Sequence, residues 1–176
     1  MRSLIILLPL IPLIAGAAMS PLEAIDQARR LAAAFETDFH EQMDEALDGH
    51  GPAEVCRTRA PAMAARLSVH GWRVRRVSLT ALNPAHRPDA WEREILQRFG
   101  QLMASGEEIG NLEIAEFVRQ GDAQTFRYIR AIASHARCLG CHGRRPLPRG
   151  QEGPDPQAPR AQGLGGALSL SRDIDG

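Results

Sequence analysis

The run Cys138-Leu139-Gly140-Cys141-His142 places two thiols and an imidazole within one short stretch of chain. Two cysteines at this separation can each add to one vinyl group of a porphyrin. A histidine directly after the second cysteine is then placed to bind the iron axially. The run therefore predicts one covalently attached haem c, with Cys138 and Cys141 as attachment residues and His142 as the proximal iron ligand.

Three other chemistries compete for the same residues. A redox-active dithiol calls for a thiolate at a helix start in a thioredoxin-like unit, and the surrounding sequence has no such pattern. A zinc site would need a fourth ligand, which His135 could supply. A disulfide between Cys138 and Cys141 leaves His142 unexplained. A zinc- or disulfide-stabilised binding domain without haem is therefore the alternative to a haem protein.

Cys56, the third cysteine of the chain, has no obvious partner once the other two carry haem. A free thiol in an oxidising compartment is open to oxidation or intermolecular pairing. Binding iron as a thiolate would remove that liability, whereas most free cysteines behave as small buried apolar residues. The helical spacing of residues around Cys56 is compatible with both an iron ligand and a buried packing residue. The rivals for the second axial position are Met63, His40, His70, His86 and His135.

The N-terminal sequence MRSLIILLPLIPLIAGAAMS has one basic residue, a short apolar run and small residues at positions 15–17. This pattern predicts a signal peptide over residues 1–18 and an exported, periplasmic location for the rest. The apolar run is too short for a comfortable membrane span, so we expect no stable span after cleavage.

The charges of the chain balance, with 21 basic and 21 acidic residues, and every basic residue is arginine. No global field attracts the protein to nucleic acid, so we expect no nucleic-acid partner.

A long N-terminal helix is predicted from Ser20, where a serine cap, a proline and Glu23 form a capping box. Apolar residues then recur at three- and four-residue steps as far as Ala46. A second helix begins near Pro52 and carries Cys56 on its inward face. Pro61 should kink this helix because proline cannot donate to the carbonyl four residues earlier.

A third helix is predicted after Asp89, which forms a capping box with Glu92, and it should end at Ser105-Gly106. Period-two patterns predict strands at 72–79, 112–120, 124–134 and 164–171. The first should contain a bulge or present an exposed arginine edge, and the second and third should pair through a turn at Gly121-Asp122. The proline- and glycine-rich segment 143–163 is predicted to be a loop. The order of elements indicates one α+β domain over residues 20–172.

Several sequence blocks occur in one order along the chain: AEVCRTRAPAMA, RVRRVSLTALNPAHRPDAWE, FRYIRAI, CLGCHG and GGALSL. In this order they resemble an exported haem-c domain family, described from cyanobacteria, with a PAS-like fold and cysteine/histidine-ligated iron. The resemblance implies a PAS-like antiparallel sheet with flanking helices. It also implies that Cys56 is the distal iron ligand and His142 the proximal one.

Two strong axial ligands would leave no open coordination position on the iron, so we expect no enzyme. A thiolate ligand should give a low reduction potential. The expected function is that of a periplasmic monohaem cytochrome, acting on an unidentified protein partner as a redox sensor or a low-potential electron carrier. The alternative is a gas-binding haem module in which the Cys56 ligand is displaced.

Overall fold

The computed structural model describes residues 19–47, 55–81, 83–120, 123–134 and 163–174. The predicted signal peptide, the turn at Gly121-Asp122 and residues 135–162 lie outside the described residues. Cys138, Cys141 and His142 are therefore also outside them. For Cys56 the structure describes the backbone only.

The first helix, α1, spans Pro21–Leu47. Its predicted capping box is confirmed, since the amide of Ser20 donates to Glu23 Oε2 at 2.9 Å and the amide of Glu23 donates to Ser20 Oγ at 3.3 Å. The apolar stripe is buried in the core, including Phe35 and Phe39, whose rings stack 5.8 Å apart. At 27 residues the helix is about 40 Å long.

The second helical segment has two parts. A π-helical turn covers Val55–Arg59 and runs directly into α2, which spans Ala60–Leu67. The predicted face is buried at Ala60 and Met63, while Leu67 is partly buried. The distortion expected at Pro61 is present, but it takes the form of a widened turn before the proline.

Four antiparallel strands form one sheet in the order β1-β4-β3-β2. They are β1 (Trp72–Val77), β2 (Glu113–Gln120), β3 (Ala123–Ser134) and β4 (Gly163–Asp173). The predicted pairing of β2 with β3 is confirmed. Strand β1 pairs with β4 in continuous register, so of the two alternatives for this strand the arginine edge is right and the bulge is wrong. The register irregularity lies instead in β3, between Ala131 and Ala133.

The third helix, α3, spans Ala90–Ala104 and begins with the predicted capping box between Asp89 and Glu92. It ends at Ser105, whose backbone amide donates to carbonyls of the last turn. Two 3₁₀ turns, Pro84–His86 and Ile109–Asn111, flank this helix.

Helices cover both faces of the sheet. Helices α1 and α2 pack on one face, against a core that includes Trp72, Tyr128 and Leu168. Helix α3 packs on the other face, against a core that includes Val77 and Ile129. The α+β class with an antiparallel sheet, flanking helices and a long N-terminal helix is therefore confirmed. Within the described ranges, every helix is too short or too polar to span a bilayer.

Candidate functional site

The direction of β1 relative to α1 follows from contacts at two points along the helix. Near the start of both elements, Trp72 Nε1 donates to Gln27 Oε1 at 3.2 Å. Further along both, the guanidinium of Arg76 lies over the ring of Phe39, 5.5 Å from its centroid. Strand β1 and helix α1 therefore run in the same direction, and β1 ends near the C-terminal part of α1.

Strand β3 also runs in the direction of α1. Tyr128 Oη donates to Glu113 Oε2 at 2.6 Å, and Glu113 Oε1 accepts from Arg29 in the first half of the helix. Two residues later in β3, Arg130 lies 3.6 Å from Glu36 in the second half of the helix. Strands β1 and β3 are both antiparallel to β4, so β3 runs in the direction of β1, and its end at Ser134 is directed toward the C-terminal end of α1.

The π-helical turn lies beside this same end of α1. Arg59 Nη1 donates to Gln42 Oε1 at 3.0 Å, and Arg66 forms an ion pair of 2.8 Å with Asp38. The segment therefore runs antiparallel to α1, and its first residues lie beside the last turns of that helix. Val55, next to Cys56, is fully buried in the core on the α1 face.

Two parts of the chain that carry the predicted site therefore lie at the same end of the sheet. One is the backbone of Cys56, and the other is Ser134, from which the chain continues toward Cys138. His142 and the side chain of Cys56 lie outside the described part of the structure, so all four site residues stay predictions.

The structure separates the rival axial ligands by position. His70 is exposed, has a positive φ of 51° and stands before the start of β1, at the end of the sheet near Gln27. A six-residue strand is about 20 Å long, so His70 lies about that distance from the end where Cys56 is found. Met63 is 1% exposed and packs in the core with α1. His135 lies outside the described residues.

His86 and His40 are the described histidines at the same end as Cys56. The amide of Ser78, just after β1, donates to the carbonyl of His86 at 3.1 Å. Burial lowers the pKa of His86, and the charges of Arg76 and Arg75 lower it further. These effects favour the neutral imidazole, which is the form that binds iron. His40 neighbours Phe39 on α1, with the two rings 6.2 Å apart.

Arginines that could bind haem propionates lie on both faces of the sheet. Arg127 forms an ion pair of 2.6 Å with Asp89 and lies 4.2 Å from the centroid of the Trp91 ring, so it faces α3. Arg130 faces α1. Arg76 of β1 also faces α1, where its guanidinium lies over the ring of Phe39. Side chains alternate between the two faces of a strand. Applied to β1 and β3, this pattern could have predicted from the sequence that Arg76 and Arg130 lie on the same face of the sheet.

A polar cleft of about 320 Å³ opens on the α3 face, away from Cys56. Its charged lining residues are Arg73, Arg75, Arg127, Asp89, Glu92 and Asp173. Each of the three arginines forms an ion pair with one of these carboxylates. The charges of this cleft therefore neutralise one another. Across the described part of the chain, no group of three or more histidine, cysteine or acidic side chains could hold a metal ion.

Comparisons with known proteins identify a similar solved structure and a matching protein family. The chain is similar to the crystal structure of the cyanobacterial heme-protein Tll0287, with a TM-score of 0.53 and 18% sequence identity. The match covers 88% of this chain and 97% of that one, and at this identity it establishes a shared fold. No curated protein matches the chain. The model of the Tll0287-like family matches residues 18–157, well over half of the 176 residues. The chain therefore belongs to the Tll0287-like family.

Proposed function

We propose that this protein is a monohaem c-type cytochrome with one haem c, joined to Cys138 and Cys141 and ligated by His142 and Cys56. It acts in an exported, periplasmic compartment as a redox protein, and not as an enzyme. The similarity to the heme-protein Tll0287 supports haem binding, and the CLGCH run supports covalent attachment.

The observation that carries the proposal is the convergence of two distant segments. Cys56 and Cys138 are 82 positions apart in the sequence. The contacts of α1 with β3 and with the π-helical turn bring the backbone of Cys56 and the end of β3 to the same end of the same face. A haem held by the segment after β3 would then have Cys56 as a neighbour.

The residues predicted at this end fit the chemistry of a ligated haem. Two thiols for the vinyl groups, one imidazole and one further thiol make up a complete donor set. When bound, the haem supplies one-electron exchange at its iron. Cys138 and Cys141 would keep it in place through thioether bonds, while His142 and Cys56 would supply the protein ligands of the iron and keep out water and substrates.

The thiol of Cys56 distinguishes this site from one with methionine and histidine ligands. A thiolate donates more electron density than a thioether and stabilises the ferric state, so the reduction potential should be low. A carrier keeps both ligands in each redox state, whereas a sensor changes a ligand and thereby a surface that a partner protein reads. The partner in either case is a redox or signalling protein.

Production together with a cytochrome c assembly system tests the proposal directly. We expect intact-mass spectrometry to show one haem bound covalently to the wild-type protein. The Cys138→Ser and Cys141→Ser variants should each lose one thioether bond, and the double variant should lose covalent haem altogether. Wild-type protein that folds but carries no covalent haem would refute the proposal and favour the zinc- or disulfide-stabilised alternative.

A comparison of oxidised and reduced spectra then separates carrier from sensor. Unchanged axial ligation in both states would identify a carrier. Loss of the Cys56 ligand on reduction would identify a sensor. Binding of carbon monoxide at the vacated position would identify the gas-binding module.

A further inference from the structure

The π-helical turn Val55–Arg59 is held at both of its ends. At its start, Val55 is fully buried in the core on the α1 face. At its end, Arg59 is tied to α1 by the 3.0 Å hydrogen bond to Gln42, and the next residue, Ala60, is 1% exposed. The backbone of Cys56 lies between two fixed points, so the geometry of the turn determines its orientation.

Pro61 explains why this turn is wide. A regular α-helix would need a hydrogen bond from residue 61 to the carbonyl of Arg57, and a π-helical continuation would need one to the carbonyl of Cys56. Proline has no amide hydrogen for either bond. Its ring also collides with the carbonyl four residues earlier, which is that of Arg57. A wider turn moves that carbonyl away from the ring.

We propose that Pro61 is a positioning residue, which maintains the π-helical turn and thereby aims Cys56 at the haem iron. This inference rests on the proposed function, since it requires that Cys56 is an axial ligand. It adds that the orientation of the ligand depends on Pro61, five positions further along the chain.

The size of the effect follows from helix geometry. Each α-helical residue adds a rotation of about 100° and a rise of about 1.5 Å. Converting the π-helical turn to an α-helical one removes about one residue from the turn. Because Val55 and Ala60 are both buried, the change cannot be absorbed at either end without exposing apolar surface. The residues between them, including Cys56, must therefore reorient.

Substitution of Pro61 by alanine tests this inference in the haem-loaded protein. Alanine restores the amide hydrogen and has a higher helix propensity than proline, so the variant should fold. Pro84→Ala is the matched control, because Pro84 also stands in the first turn of a helical segment but in the exposed 3₁₀ turn. Electron paramagnetic resonance of the ferric protein reports the fraction with low-spin thiolate ligation, and Cys56→Ser marks the signal without thiolate.

We expect at least a tenfold loss of the thiolate-ligated fraction in Pro61→Ala and none in Pro84→Ala. A crystal structure of Pro61→Ala should show a continuous α-helix from Val55 to Leu67. A wild-type spectrum in Pro61→Ala, together with a changed spectrum in Cys56→Ser, would overturn the positioning role alone. An unchanged spectrum in Cys56→Ser would overturn the ligand assignment, and the positioning role with it.

Discussion

Replacing Tyr128 by phenylalanine should loosen the attachment of α1 to the sheet. Tyr128 is fully buried, and its hydroxyl donates to Glu113 Oε2 at 2.6 Å, while Arg29 of α1 binds the other oxygen of Glu113. A hydrogen bond to a charged group contributes about 1.5–3 kcal/mol. Phenylalanine fills the same space apart from the hydroxyl, so the lost hydrogen bond should account for most of the change in stability. At about 2–4 °C per kcal/mol, the Tm should fall by roughly 3–12 °C.

Equilibrium urea denaturation of the haem-loaded protein, followed by circular dichroism, measures the free energy of unfolding. The midpoint should fall while the slope with urea stays unchanged, since the variant exposes the same surface on unfolding. A double-mutant cycle with Glu113→Gln isolates the pairwise contribution. A loss below about 0.5 kcal/mol, or the absence of coupling to Glu113, would refute the claim that this hydrogen bond holds the carboxylate that Arg29 of α1 binds.

The difference in unfolding free energy between wild type and Tyr128→Phe should also depend on pH, which gives a second check on the role of this hydrogen bond. The pKa of Glu113 lies below its ordinary value of 4.5, chiefly because of the hydrogen bond from Arg29 and also because of the bond from Tyr128. A carboxyl whose pKa is lower in the folded state stabilises the fold above its unfolded pKa and loses that contribution as pH falls through the folded pKa. The destabilisation by Tyr128→Phe should therefore be full above about pH 4.5 and shrink below it.

Three further substitutions probe other parts of the structure, each measured by the free energy of unfolding. Gly166→Ala should destabilise by about 1–3 kcal/mol or more, because φ is +129° and the new Cβ atom would lie 2.5 Å from the carbonyl oxygen of Val77. Gly100→Ala should stabilise α3 by about 0.5–1 kcal/mol, since no atom lies within 4 Å of the new Cβ atom. Glu92→Ala should destabilise by about 1–3 kcal/mol, because it removes a 1% exposed carboxylate that accepts from the amide of Asp89 and from Arg75, while Arg75 itself stays 42% exposed to solvent. Since Glu92 belongs to α3, on the face of the sheet away from Cys56, its loss should leave the haem spectrum unchanged. A changed spectrum would contradict the assignment of the site to the other face.

Features with a local cause could be predicted from the sequence. The capping boxes at Ser20 and Asp89 depend on residues three positions apart, and both helices begin where the sequence places them. The pairing of β2 with β3 follows from two alternating segments around Gly121-Asp122. These signals require no knowledge of distant parts of the chain.

Features that depend on distant contacts could not be predicted in the same way. The response of the second helical segment to Pro61 depends on Val55 and Arg59 being held by the core and by α1. The register irregularity in β3 depends on β4, a strand about forty residues later. Strand alternation places Arg127 and Arg130 on opposite faces of β3, but only the packing of α1 and α3 shows which layer each one meets.

The candidate site combines both kinds of information. The CLGCH run predicts haem attachment from local spacing alone. Periodicity left the role of Cys56 open, and the resemblance to the haem-c family assigned it as a ligand. The structure adds that its backbone lies at the end of the sheet to which β3 leads.

Electron paramagnetic resonance of the ferric, haem-loaded protein, compared between wild type and Cys56→Ser, tests the central claim most directly. Met63→Leu is the control, because it removes the other sulfur on the same helical segment while keeping the core filled. We predict a low-spin thiolate signal in the wild type and in Met63→Leu, and its loss in Cys56→Ser. A signal that survives in Cys56→Ser would contradict ligation by Cys56 and His142.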